Sequence, residues 1–175
     1  MRKNLQGRRF IDANVFINWL KAKPALVLKD ETALISGYIL YKIEKGEEAL
    51  TTVTVKDEVA LWLSRYNVNA LNMFLTYLPG YTTLEIATPS LTDQIKAGKL
   101  MGKYKLGYSD LVTLQVMKRH GISEIYSSDT GFDTVPEIKR IFDELKEEDG
   151  YNKFLCLLQR GTKMDMKEQE NENLM

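Results

Sequence analysis

A chain of 175 residues with 44% hydrophobic and 27% charged residues has the length of one domain and can bury a core, which excludes wholesale disorder. One cysteine, Cys156, and one histidine, His120, exclude a disulfide scaffold, a zinc ribbon and a multi-histidine metal site, so any metal site must be built from carboxylates. Lys+Arg and Asp+Glu both number 24, so the chain is no polycation and any nucleic-acid surface is a local patch.

The basic start and the apolar run 10–20 resemble a signal peptide only briefly. Asp12, Asn14 and Asn18 interrupt the run and no small-residue cleavage pattern follows. No stretch approaches the ~20 apolar residues of a membrane span, and a cytoplasmic location is expected. A short strand over 9–12 precedes a helix that Pro24 ends. A longer helix is expected over 30–44, with Leu34, Tyr38 and Tyr41 at helical spacing and Gly46 closing it. The β-branched run 50–55 predicts a strand, and helices follow over 56–66 and 67–78, ended by Pro79-Gly80. A strand over 81–87 leads to a helix over 88–104, with Thr88 as cap and Pro89 at its first position. A further helix runs from 108 or 109 to His120, stopped by Gly121, before a strand over 123–128 and a turn over 129–135.

Strands alternating with helices predict a three-layer α/β/α sandwich with a mainly parallel central sheet. The main domain is expected at 1–145, a C-terminal extension packing on the domain or an interface at 146–163, and a disordered tail at 164–175, where core-forming residues almost vanish. The apolar stretches 72–78 and 154–158 exceed what one core absorbs, and suit a homodimer or a partner helix. Cys156 falls in the second of them, as a core or interface residue.

Four acids recur at analogous points. Asp12 and Asp129 end strands, while Glu58 and Asp110 lie in the first turns of helices. In a β-α-β unit the strand ends and the following helix begins on one edge of the sheet, so all four carboxylates should meet there. Each alone has a structural explanation, as a turn residue, a cap or a partner of the helix dipole. Two details favour the conjunction. Glu58 borders the stripe Val55, Val59, Trp62 and Tyr66, whereas Asp57 points to solvent. Asp110 opens a helix that is apolar nearly all round, so its charge needs a partner. Crowded acids repel one another, and a hard Mg²⁺ or Mn²⁺ ion with oxygen ligands removes the conflict.

At these residues the sequence resembles the PIN-domain nucleases, and within them the VapC-type toxin ribonucleases. The matching pieces are Phe10-Ile11-Asp12-Ala13-Asn14-Val15-Phe16, Val53-Thr54-Val55-Lys56-Asp57-Glu58, Gly107-Tyr108-Ser109-Asp110 and Ser127-Ser128-Asp129-Thr130-Gly131-Phe132-Asp133, in the family's order. Ala13 stands where a small hydroxyl residue is frequent in the family. The resemblance implies a PIN-like fold and a metal-dependent endoribonuclease in which Asp12, Glu58, Asp110 and Asp129 bind Mg²⁺ or Mn²⁺ and carry catalysis. It further implies Asn14 and Ser128 beside the acids, Asp133 as an auxiliary residue, and, for a toxin, an antitoxin protein that blocks the site.

The chemistry expected is phosphodiester hydrolysis by metal-activated water, with Asp12 and Asp110 as main ligands. His120, at a helix C-terminus, suits dipole compensation rather than general base catalysis. Lys96, Lys99, Lys103 and Lys105 form an acid-free run leading to Asp110. They are candidate RNA contacts, with Lys139-Arg140 as a second group and Tyr104 and Tyr108 as stacking candidates. The alternatives are a PIN-type nuclease in RNA processing and a catalytically inactive PIN-like interaction domain. A phosphoacceptor signalling domain would need paired acids after the first strand and a lysine after a late strand, and this sequence has neither.

Overall fold

The computed structural model describes residues 7–23 and 26–172, and of residues 161–172 the backbone only. Five short strands form one sheet: β1 (Arg9–Ile11), β2 (Ala49–Thr52), β3 (Leu84–Ala87), β4 (Glu124–Tyr126) and β5 (Lys139–Ile141), in the order β3-β2-β1-β4-β5. Every neighbouring pair is parallel. Phe10, Ile11, Leu50, Ile125 and Tyr126 are completely buried, because the central strands of a parallel sheet are covered on both faces.

Helices α1 (Ala13–Lys21) and α2 (Glu31–Glu44) connect β1 to β2, and α3 (Val53–Tyr66) and α4 (Val68–Tyr77) connect β2 to β3. Helices α5 (Leu91–Gly98) and α6 (Tyr108–Arg119) connect β3 to β4, and α7 (Asp149–Glu172) follows β5. The chain moves outward from β1 through β2 to β3, then crosses back to β4. Right-handed crossovers therefore put α1 to α4 on one face and α5 and α6 on the other. The packing agrees: α1 contacts α2 and α3, α3 contacts α4, α7 contacts α2, and α5 pairs with α6. The architecture is the expected α/β/α sandwich. The reversal of direction between β1 and β4 creates a crevice at their carboxyl ends, where open α/β sheets bind ligands.

Local boundaries differ from those expected in several places. The strand expected over 50–55 stops at Thr52, whose side chain accepts the Val55 N–H at 3.1 Å and starts α3 at Val53. An N-cap thus overrides the β-branched propensity of Val53, Thr54 and Val55. Glu58 consequently lies in the second turn, not the first. The helix expected over 88–104 runs only from Leu91 to Gly98, because Ser90 and Asp93 form a reciprocal capping box and leave Thr88 and Pro89 outside. Pro24 lies outside the described residues; α1 ends before it, at Lys21. The basic segment at 139–141 is an edge strand.

The apolar stretch 154–158 belongs largely to this core. Phe154 stacks within 5.4–6.3 Å of Tyr41, Tyr38 and Trp19, and Tyr151 meets Tyr38 edge-on at 5.4 Å. Cys156, expected in the core or an interface, points outward and is exposed, because Tyr151 and Phe154 define the buried stripe of α7. The backbone of α7 remains helical across residues 164–172, where a disordered tail is expected; residues 173–175 lie outside those described. Among the described residues no helix is long and apolar enough to cross a membrane.

Candidate active site

Asp12 stands where β1 ends, as the N-cap of α1, and is only 7% exposed. Parallel pairing of Ile11 with Tyr126 sets Ser127 directly beside it. The Ser127 hydroxyl donates to Asp12 Oδ2 at 2.7 Å, Asn14 Nδ2 donates to the same oxygen at 2.6 Å, and the Ala13 N–H donates to Oδ1 at 2.8 Å. Asn14 also spans the crevice: its Nδ2 donates to Ser127 Oγ at 2.9 Å and its Oδ1 accepts the Ser128 N–H at 3.0 Å. The Asp12 carboxylate is thereby fixed in one orientation.

Asp129 follows on the same strand end. Its N–H donates to Ser127 Oγ at 3.0 Å, and its Oδ1 accepts the Gly131 N–H at 2.7 Å. Gly131 is required here, because a Cβ would lie 2.4 Å from the Lys105 carbonyl oxygen and 3.1 Å from Asp129 Oδ1. This close approach ties the connection between α5 and α6 to the turn that carries Asp129. Lys105 N–H donating to Thr134 Oγ1 at 3.2 Å adds a second tie. Asp110 reaches the edge by this route. It does not follow a strand of its own; residues 99–107 return the chain to the carboxyl edge, where α6 begins. Asp110 Oδ2 accepts the Gly107 N–H at 3.0 Å, which holds the carboxylate at the mouth of α6.

The four acids act on one another electrostatically. Burial, then the Asp110 and Glu58 charges, push the Asp12 carboxyl up to about 7 against the opposing hydrogen bonds from Ser127 and Ala13. Partial burial and Asp110 raise Glu58. Burial and Asp129 raise Asp110, against the Gly107 hydrogen bond. Asp12, Glu58, Asp110 and Asp129 thus share one edge and one field, although they come from four separate parts of the chain. Among the described residues no three of these groups converge closely enough to ligate one ion directly. The all-oxygen donor set suits a hard cation that retains several waters and takes one or two carboxylates directly, as Mg²⁺ commonly does.

A model of the PIN domain matches residues 9–138. The chain belongs to the PIN domain family. Its fold is similar to that of Mycobacterium tuberculosis VapC20, described as a toxin cleaving the sarcin-ricin loop, with a TM-score of 0.61 at 14% identity over 76% of this chain and 98% of that one. A toxin-antitoxin complex from Klebsiella pneumoniae gives 0.54 at 16% identity, covering 75% of this chain and 95% of its own. VapBC2 from Rickettsia felis, bound to a DNA fragment of its promoter, gives 0.54 at 14% identity over 78% and 99%. At these identities the likeness is one of fold. No curated protein matches the sequence.

In this PIN domain the remaining expected site residues divide. Ser128, expected beside the last acid, turns its hydroxyl toward Asn18 Nδ2 at 3.2 Å; Ser127, not singled out from sequence, is the hydroxyl that touches Asp12. Asp133 pairs with Arg140 at 3.0 Å, and Arg140 Nη1 also donates to the Ser127 carbonyl at 3.3 Å, so Arg140 ties the β4–β5 crossover together. Lys96, Lys99 and Lys103 do not flank Asp110. They line a cavity of about 570 Å³ with Lys118, Gly121 and Ser123, near the opposite end of α6. Their separation follows from the early end of α5, which turns an expected helical face into a loop. Lys105 alone of the run lies beside the Asp129 turn. His120 caps the far end of α6. On the other face a groove of about 210 Å³ is lined by Phe16, Trp19, Leu40, Met73, Phe74 and Tyr77, with Met73 and Tyr77 largely exposed.

Proposed function

We propose that this PIN domain is a Mg²⁺- or Mn²⁺-dependent endoribonuclease of the cytoplasm and the toxin of a toxin-antitoxin pair. The observation that carries the reading is geometric: Asp12 ends β1, Asp129 follows β4 on the same Ser127 hydroxyl, and Asp110 opens α6 at the turn that carries Asp129, all at the carboxyl edge between β1 and β4. The fold shared with a toxin and with two toxin-antitoxin complexes supports the biological role.

Asp12 and Asp110 are the residues that would hold the cation, with Glu58 and Asp129 completing the site through water. A bound dication supplies Lewis acidity, lowering the pKa of water and offsetting charge on the phosphorane-like transition state. Ser127, Asn14 and the Ala13 N–H hold Asp12 in one orientation, so little reorganisation accompanies the reaction. Gly131 and Thr134 keep the Asp110 segment against the Asp129 turn. Lys105 offers a cation to a phosphate beside the acids. Hydrolysis forms a bond from a water oxygen to phosphorus and breaks the bond to the departing ribose oxygen, which takes a proton. No imidazole serves this edge, because His120 stands at the other end of α6.

In this reading an antitoxin segment fills the apolar groove of Phe16, Trp19, Met73 and Tyr77, and a second copy of the chain associates through the exposed Leu61, Tyr66 and Val68 of α3 and α4. Incubation of the purified protein with structured RNA tests the activity. Cleavage is expected with Mg²⁺ or Mn²⁺ and is abolished by a chelator; equal cleavage in the chelator would contradict metal dependence.

A further inference from the structure

The cavity that collects Lys96, Lys99 and Lys103 is not absorbed by the acidic edge. It lies between α5, α6 and the connection from β4 to β5. Residues 127–138 make that crossover with a five-residue 3₁₀ turn (Thr130–Thr134) and no α-helix, so the outer face beside β5 lacks the cover that α5 and α6 give elsewhere. The volume of about 570 Å³ falls within the range of sites that take small molecules or single nucleotide units. Leu100, Leu114, Ile122, Val135 and Ile138 supply apolar lining, and Tyr104 a half-buried aromatic ring.

Its charge is one-sided. Lys96, Lys99, Lys103 and Lys118 face a single acid, Glu137. Among the described residues none of these four lysines is engaged in an ion pair; Lys103 lies over the Tyr104 ring, 5.1 Å from its centre. Uncompensated ammonium groups around an apolar pocket with an aromatic wall match an unstacked base carrying phosphates. A duplex keeps its bases stacked inside and offers none to such a pocket.

We propose that this cavity is an anchoring subsite for single-stranded RNA, holding one base against Tyr104 and its flanking phosphates on Lys96, Lys99, Lys103 and Lys118. The inference rests on the ribonuclease reading and adds to it where the substrate strand runs. Asp110 opens α6 and Lys118 lies eight residues later, ~12 Å along the helix at ~1.5 Å per residue. That distance corresponds to about four stacked nucleotides at ~3.4 Å each. A strand anchored in the cavity therefore reaches the acidic edge within a short stretch, past Lys103 and Lys105. The subsite binds backbone and a base without reading a sequence of bases.

The test measures binding of a 5′-fluorescein single-stranded RNA of about twelve nucleotides by anisotropy, long enough to span both places. An Asp110→Asn background prevents cleavage. The pair Lys99→Glu with Lys118→Glu is expected to raise Kd at least about tenfold and to lessen the slope of log K against log salt by about 1.4. Tyr104→Ala is expected to raise Kd about tenfold. Lys45→Glu, an exposed charge reversal on α2's C-terminal side, is expected to stay within about twofold. The lysine pair binding like its parent, or Lys45→Glu losing as much, would each overturn the subsite. Wild-type cleavage separates the two hypotheses. Cleavage with unchanged binding in the lysine pair removes the subsite alone; weakened binding in the pair without any wild-type cleavage removes the nuclease reading alone.

Discussion

Asp110→Asn is expected to lower RNA cleavage at least about a thousandfold, a loss of about 4 kcal/mol of transition-state stabilisation, while the protein stays folded. The asparagine oxygen still accepts the Gly107 N–H that Asp110 Oδ2 accepts at 3.0 Å, so the start of α6 is preserved. What disappears is a negative charge. Its attraction to the helix terminus is worth about 0.3–1 kcal/mol, and its repulsion with Asp129, Asp12 and Glu58 disappears with it. The two nearly offset, so the thermal midpoint of the metal-free protein should stay level or rise. Single-turnover cleavage and a melting curve on one preparation read both effects. Cleavage within about threefold of wild type, a difference under 1 kcal/mol, would remove Asp110 from the proposed chemistry.

The second large effect is on stability against pH in the absence of divalent metal. Burial above all pushes the folded Asp12 carboxyl up to about 7, whereas an unfolded aspartate titrates near the ordinary 3.8. Between these values the folded state holds a proton that the unfolded state has lost. Unfolding free energy therefore falls as pH rises through this window and levels off above it. A gap of this size corresponds to a loss on the order of 4 kcal/mol. Glu58 and Asp110, also raised, contribute with the same sign. Asp93, buried yet held low by the Ser90 hydrogen bonds and Arg119, and Glu148, held low by Tyr38 and Lys42, act oppositely at more acid pH. The clean readout is the difference from Asp12→Asn, a neutral stand-in for the protonated acid, which should lose most of the slope. Mg²⁺ should flatten the wild-type profile by favouring the anion. Denaturant melts in a chelator from pH 4 to 8 measure this; a wild-type profile parallel to that of Asp12→Asn would show that Asp12 carries no such burden.

The sheet and its helices were legible because hydrophobic periodicity and turn residues agree over most of the chain. The misreadings have local causes. Val53, Thr54 and Val55 carry strong β propensity, but the Thr52 cap, which depends on tertiary placement, turns them into a helix. Ser90 and Thr88 both qualify as caps, and the reciprocal bonds with Asp93 decide between them. β5 has three residues, two of them basic, and forms only because β4 offers it an edge. Asp12, Glu58, Asp110 and Asp129 could be read as one group because parallel topology sends strand ends and helix starts to one edge. Ser127 could not be chosen over Ser128, since that choice depends on the β1–β4 register. The lysine run divides in space for the opposite reason. Closeness in sequence to Asp110 implies one shared surface, but the loop after α5 sets Lys96, Lys99 and Lys103 around a cavity with Lys118, from the later part of α6.

The central claim is that carboxylates from separate parts of the chain create one dication pocket, and Mn²⁺ binding tests it without reference to RNA. Electron paramagnetic resonance reads free Mn²⁺ during titration of the wild type, Asp12→Asn, Asp110→Asn and the surface control Asp57→Asn. The account predicts saturable uptake by the wild type and the control, and affinity reduced at least about a hundredfold in each of the other two variants. Equal uptake by all four proteins would contradict it.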